Sequence, residues 1–145
     1  MILKKLVEFN VDTADMLKIY ILYIRVIIEQ SSVVWSSSLT QEEENAIERV
    51  QKIALRLIYQ ENYICYNNAL SLSKLPTIKD RFKNLLYKFA VKCTKNMKTE
   101  NMIPLNENND RLRQKEKYKV PLARKQRLFK STIPTMARML NSNHI

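Results

Sequence analysis

Residues 40–58, Thr-Gln-Glu-Glu-Glu-Asn-Ala-Ile-Glu-Arg-Val-Gln-Lys-Ile-Ala-Leu-Arg-Leu-Ile, decide the fold class. Thr40 followed by Glu43 three residues later is a capping box. The hydroxyl accepts from the Glu43 amide and the carboxylate accepts from the Thr40 amide, so two donors that a helix start leaves orphaned are satisfied. Glu42, Glu43 and Glu44 then sit in the first turn, where they complement the helix dipole. Ala46, Ile47, Val50, Ile53, Ala54, Leu57 and Ile58 recur at three-and-four spacing. That period predicts an amphipathic helix from 41 to Tyr59 or Gln60, with Glu48, Gln51 and Lys52 among its outward residues.

Upstream, Asp12 or Thr13 caps a helix over about 13–30, whose predicted inward face is Met16, Leu17, Tyr20, Tyr23, Ile24, Ile27 and Ile28. Arg25 interrupts this apolar run and either pairs with Glu29 at i+4, the reading preferred here, or snorkels to solvent. Between the two helices, Ser31 and Ser32 and then Ser36–Ser38 bracket Val33-Val34-Trp35 as a compact link. Trp35 is the expected structural anchor, filling the gap between the flanking helices, with base stacking as the alternative. Residues 2–9 read as the last turns of a helix whose beginning lies upstream of Met1, and Asn10-Val11-Asp12 breaks it.

Downstream, Asn67 is expected to cap a short helix with Leu70 and Leu72 inward, and Leu75-Pro76-Thr77 marks a stop and restart. Thr77 with Asp80 is a second capping pair. Ile78, Phe82, Leu85, Leu86, Phe89, Ala90 and Cys93 predict a helix over about 78–96, with Lys79, Arg81, Lys83, Lys88, Lys92 and Lys95 on its other faces. Residues 98–121 are polar and are expected to form a mobile connector. Beyond it, 122–145 is a basic segment with a short helix through Leu140 and Pro134 near its first turn.

The chain of 145 residues contains no Gly, which disfavours strand-and-turn architectures and leaves Asn to serve at several helix ends. The expected fold is all-α: a small irregular helical bundle over 1–97, with a basic, partly extended C-terminal tail. Charge is unevenly spread. Residues 1–64 hold 7 Lys and Arg against 9 Asp and Glu, whereas residues 65–145 hold 18 against 5. A basic half beside a near-neutral half points to a polyanion, of which nucleic acid is the commonest. Cys65 and Cys93 belong to no Cys/His cluster, so neither a metal nor another cofactor is expected; Cys93 falls on an apolar face. No run is long enough to span a bilayer, and two unpaired thiols fit an intracellular protein, cytoplasmic or nuclear.

Several ordered stretches resemble the region downstream of the polymerase palm in reverse transcriptases of non-LTR retrotransposons, the jockey-like LINE group. They are Ile19-Tyr20 with Tyr23-Ile24-Arg25 and Glu29; Val34-Trp35-Ser36-Ser37-Ser38-Leu39-Thr40; Ile47-Glu48-Arg49-Val50-Gln51-Lys52; and the run from Leu72 through Pro76 to Arg81, with Lys88-Phe89-Ala90 and Cys93. The segment Val120-Pro121 through Ser131-Thr132-Ile133-Pro134 to Leu140 is similar to the closing motif of many such enzymes. Departures are Val26 and Gln30, where the family usually has Pro and an aromatic residue, and Lys125-Gln126 in place of the usual polar pair. Val26 is expected to let its helix run on without a kink.

The resemblance implies thumb-like and post-thumb helices that hold a primer–template duplex by its backbone. Polymerase chemistry needs carboxylates that hold two metal ions about 4 Å apart, and the chain has no adjacent Asp pair, so catalysis is not expected of it. Phosphate-binding candidates are Lys79, Arg81, Lys83, Lys88, Lys92 and Lys95 on the basic helix, and Arg111, Arg113, Lys115, Lys117, Lys119, Arg124, Lys125, Arg127 and Lys130 in the tail. Tyr118 and Phe129 have two open roles, stacking on unpaired bases or docking the tail on the helical core. The expected partners are RNA or DNA, bound without sequence preference, and the palm of the polymerase. Alternatives are a helical module that binds a partner protein, or a remnant without function.

Overall fold

The computed structural model describes residues 2–106 and 116–142, and these are helices and turns with no strand among them. The helices are α1 (Ile2–Glu8), α2 (Thr13–Ile19), α3 (Val26–Glu29), α4 (Ser32–Trp35), α5 (Gln41–Tyr59), α6 (Tyr66–Ser73), α7 (Ile78–Lys95), α8 (Gln126–Phe129) and α9 (Thr132–Ser142). The all-α expectation holds. The chain divides into two compact units, residues 1–30 with 40–81 and residues 31–39 with 82–145. This differs from a boundary at 97, because the Trp35 link and most of α7 belong with the C-terminal residues.

In the first unit, Leu3, Met16, Tyr20, Ala54, Leu55, Ile58 and Ala69 form the core. The capping box of α5 is present in both directions, with the Glu43 amide 3.3 Å from Thr40 Oγ1 and the Thr40 amide 2.8 Å from the Glu43 carboxylate. The Thr40 amide, and the Thr40 hydroxyl 3.0 Å away, donate to the Glu43 carboxylate and hold its pKa below the ordinary value. The buried face of α5 is turned from the predicted one. Gln51 and Leu55 lie inside with Ala54 and Ile58, while Ala46, Val50 and Ile53 are exposed.

That rotation is set by a polar network. Gln51 is fully buried; its Oε1 accepts from the Tyr20 hydroxyl at 2.9 Å, and its Nε2 donates to the Tyr66 hydroxyl at 3.0 Å and to the Pro76 carbonyl at 3.1 Å. Tyr66 in turn donates to Glu48 Oε1, and Glu48 Oε2 accepts from the Ile78 amide at the start of α7, 3.0 Å away. A buried carboxamide with every group satisfied costs little, so the helix turns Gln51 inward.

A second difference lies between α2 and α3. The helix does run from Thr13 to Glu29, capped by Asp12, but Tyr20–Arg25 winds as a π-helix. The wider turn moves the inward positions from Met16 and Tyr20 to Arg25, a step of five, so Tyr23 and Ile27 are 67% and 71% exposed and Arg25 only 5%. The continuous α-helix expected from Val26 is thus replaced by a π-segment just before it. Arg25 Nε lies 2.9 Å from Glu29 Oε1, which is the preferred pairing, without the alignment of a hydrogen bond.

Helix ends also differ. With no Gly available, positive φ falls on Asn10, Ser31, Gln60 and Lys74, so Asn serves at one of these four positions. α6 is capped by Cys65 Sγ, which accepts from the Asn68 amide at 3.4 Å, and not by Asn67; Leu70 is half-buried but Leu72 is exposed.

In the second unit, Leu86, Ala90, Cys93, Ile103, Tyr118, Met136, Ala137 and Leu140 form the core. Trp35 packs edge-on against Phe82 of α7, ring centroids 5.2 Å apart. The link is tied to α9 by Thr132 Oγ1, which donates to the Val34 carbonyl at 2.7 Å. The expected connector is anchored at two described points: Ile103 and Tyr118 are buried, and Leu105 and Tyr118 form an antiparallel bridge. The Asn141 carboxamide accepts from the Tyr118 amide and donates to its carbonyl, both at 3.0 Å.

Candidate nucleic-acid interface

Thr77 restarts the chain after Pro76 by accepting from the Asp80 amide at 3.1 Å, and α7 follows with Phe82, Leu86, Ala90 and Cys93 buried at helical spacing. This phase puts its cations outward, but they are not equivalent. Lys79 Nζ lies 2.6 Å from Glu44 Oε2, and the hydrogen bond and charge of that carboxylate raise its pKa. Arg81 clasps Glu29 with two hydrogen bonds of 2.9 Å, which raise its pKa likewise. Both were expected to meet phosphates, and in the structure both are paired with carboxylates of the first unit.

Lys83, Lys88, Lys92 and Lys95 are exposed and form no ion pair among the described residues. Lys88, Lys92 and Lys95 follow at i, i+4 and i+7, so they line one strip of the helix about 10 Å long. Such a strip presents three ammonium groups to a phosphate backbone without selecting a sequence.

Arg111, Arg113 and Lys115 lie outside the described residues. Lys117 and Lys119 are exposed on either side of Tyr118, with Lys117 Nζ 5.5 Å from the Tyr118 ring. Tyr118 itself is 8% exposed, so base stacking is closed to it and its role is docking. Its clamp to Asn141 and its bridge to Leu105 draw the ring into the core. Arg124, Lys125, Arg127 and Lys130 are all exposed around α8.

Phe129 stays 46% exposed. The Arg138 guanidinium lies 3.8 Å from its ring centroid, while Arg138 Nη2 donates to the Phe129 carbonyl at 2.6 Å and to Thr135 Oγ1 at 3.1 Å. Sequence reasoning missed Arg138, because an Arg on a predicted helix nine residues after a Phe gives no local signal of contact. A pocket of about 170 Å³ beside the ring is lined by Ala123, Arg124, Lys125, Gln126 and Phe129.

The division into units sharpens the charge asymmetry. The first unit holds ten Lys and Arg against ten Asp and Glu; the second holds fifteen against four. The whole net charge of +11 therefore resides in the second unit. Among the described residues no three His, Cys, Asp or Glu side chains converge as a metal site, and no described helix is long and apolar enough to cross a membrane.

The chain matches no family model, no curated protein and no solved structure. The interface therefore rests on its own residues and geometry.

Proposed function

We propose that this chain is a non-catalytic, nucleic-acid-binding piece related to the C-terminal region of a non-LTR retrotransposon reverse transcriptase, and that its second unit grips RNA or DNA by the phosphate backbone. The observation that carries the binding is the segregation of the net charge onto that unit, where Lys83, Lys88, Lys92, Lys95, Arg124, Lys125, Arg127 and Lys130 are exposed and form no ion pair among the described residues. The kinship with a reverse transcriptase is supported by the ordered sequence resemblances, and it would make a polymerase palm a further partner. Catalysis is left out because the carboxylate pair of a polymerase has no counterpart in the sequence.

Binding of fluorescent single-stranded and duplex oligonucleotides, followed by anisotropy across a salt series, tests this. The logarithm of the affinity falls linearly with the logarithm of salt concentration, by roughly 0.9 per phosphate neutralised on duplex DNA and 0.7 on single strands. A flat salt response, or no binding at low salt, refutes it.

One observation favours a second reading, a module that docks on a protein. Leu22, Tyr23, Val26 and Ile27 are all exposed on the π-segment and α3, giving an apolar face of adjacent side chains. On that reading light scattering finds a defined oligomer or complex, and the affinity for oligonucleotides is negligible.

A further inference from the structure

We infer that the Phe129 pocket seats one unpaired base, so that the second unit prefers single-stranded to duplex nucleic acid. This rests on the phosphate-binding reading and adds to it the class of strand.

The argument begins with what holds the ring outward. Arg138 is bonded both to the backbone of Phe129 and, through its guanidinium face, to the ring. One face of Phe129 is therefore covered by a cation, while the residue remains 46% exposed beside the pocket it helps to line. An aromatic ring clamped by a cation and left half-exposed at a pocket is a stacking platform whose ordering is complete before a ligand arrives. A Phe that merely escaped the core would lack this clamp.

The surroundings select the ligand. Residues 117–142 contain seven Lys and Arg and no Asp or Glu. Arg124 and Lys125 line the pocket itself, and Arg127 and Lys130 are exposed on the same short stretch. A base on the ring thus has cations within reach of the phosphates on either side of it. The volume of about 170 Å³ is well below the roughly 300 Å³ at which pockets begin to enclose whole small molecules. It suits one planar ring system with its sugar and phosphates outside. A base inside a duplex has both faces stacked and its edge paired, so it cannot enter. Every base has a π-face, so the site is indifferent to sequence.

The experiment uses the full chain and measures anisotropy on a single-stranded oligonucleotide and a blunt hairpin of equal charge whose two strands are joined by a linker without bases. The wild type is compared with Phe129→Ala, Phe129→Leu and Phe129→Tyr. Phe129→Ala is expected to weaken single-strand binding roughly five- to hundred-fold, with hairpin binding and both salt slopes unchanged, since stacking displaces no counterions. Phe129→Tyr, which keeps the face, binds as the wild type does. If Phe129→Ala loses helicity by circular dichroism, the decision passes to Phe129→Leu, which keeps apolar bulk without a face: a loss of roughly fivefold or more on the single strand supports the site, and a smaller one overturns it. Equal losses on both ligands, or none on either, also overturn it while leaving phosphate binding intact. A wild type that binds neither ligand refutes the phosphate reading itself.

Discussion

Replacing Lys88, Lys92 and Lys95 together by Gln separates cations available to a phosphate backbone from cations already spoken for. The three occupy one exposed strip of α7 and carry no ion pair among the described residues. Gln keeps nearly the same helix propensity, so the perturbation is to charge alone. If each Lys neutralises one phosphate, the slope of log affinity against log salt falls by roughly 0.7 per residue on a single strand, about 2 in all, and by roughly 0.9 per residue on a duplex. A slope smaller by 2 means about 16 times less affinity lost between 50 and 200 mM salt. Arg81→Gln is the control, since Arg81 is bonded twice to Glu29. It is expected to leave the slope unchanged and to lower the unfolding free energy in urea by about 1.5–3 kcal/mol, the cost of charge-assisted hydrogen bonds. A triple variant with the wild-type slope refutes the reasoning. So does an Arg81→Gln variant whose slope falls by 0.7 or more.

Gln51→Leu strips the fully buried Tyr20 hydroxyl of its acceptor, whereas Tyr66 keeps Glu48; a loss of about 1–3 kcal/mol in urea is expected, and less than 0.5 kcal/mol would show that the network does not form. Burial raises the Tyr20 pKa to about 12, above the ordinary value of 10. The unfolded chain therefore releases this proton first as pH rises: stability is full below pH 10 and declines towards pH 12, and Tyr20→Phe flattens that decline in denaturation curves taken across this range. Lys74 caps α6 at a φ of 54°, in the left-handed region. Lys74→Gly is expected to stabilise by about 1 kcal/mol in thermal unfolding, and a neutral result would mean that the cap is not strained.

Elements with local signals agree between sequence and structure. The Thr40–Glu43 box and the Thr77 restart after Pro76 each lie within one or two helical turns and appear where expected, and of the predicted apolar face of α7 Ile78, Phe82, Leu86, Ala90 and Cys93 are buried while Phe89 is exposed. What escaped depends on partners far along the chain. Gln51 looks like a surface residue until Tyr20 and Tyr66 arrive from elements 31 and 15 positions away. Arg25 looks outward until a π-turn changes the period from which its direction was inferred. The same limit affected the site. Exposed cations at helical spacing are visible in the sequence, but that Lys79 and Arg81 are consumed by Glu44 and Glu29, at separations of 35 and 52, is not. Tyr118 and Phe129 were indistinguishable as aromatics among basic residues; Asn141 buries the first, and Arg138 holds the second half-open.

The two units spend their charges differently, and this has a thermodynamic consequence. In the first unit Glu29 meets Arg25 and Arg81, Glu44 meets Lys79, and Glu48 meets a helix amide, and its ten Lys and Arg are balanced by ten Asp and Glu. In the second unit fifteen Lys and Arg stand against four acids, so an excess of cations is left to repel one another. Such self-repulsion destabilises the folded unit, and a bound polyanion relieves it. A single-stranded oligonucleotide at 100 times its Kd should add about 2.7 kcal/mol, which for a chain near 150 residues raises Tm by roughly 5–10 °C. The readout can be confined to the right unit, because the only Trp, Trp35, lies in it against Phe82. The Trp35 fluorescence transition should move upward with oligonucleotide, and less so at high salt. An oligonucleotide that leaves it in place at low salt would show that the excess charge is tolerated by this unit and not used by it.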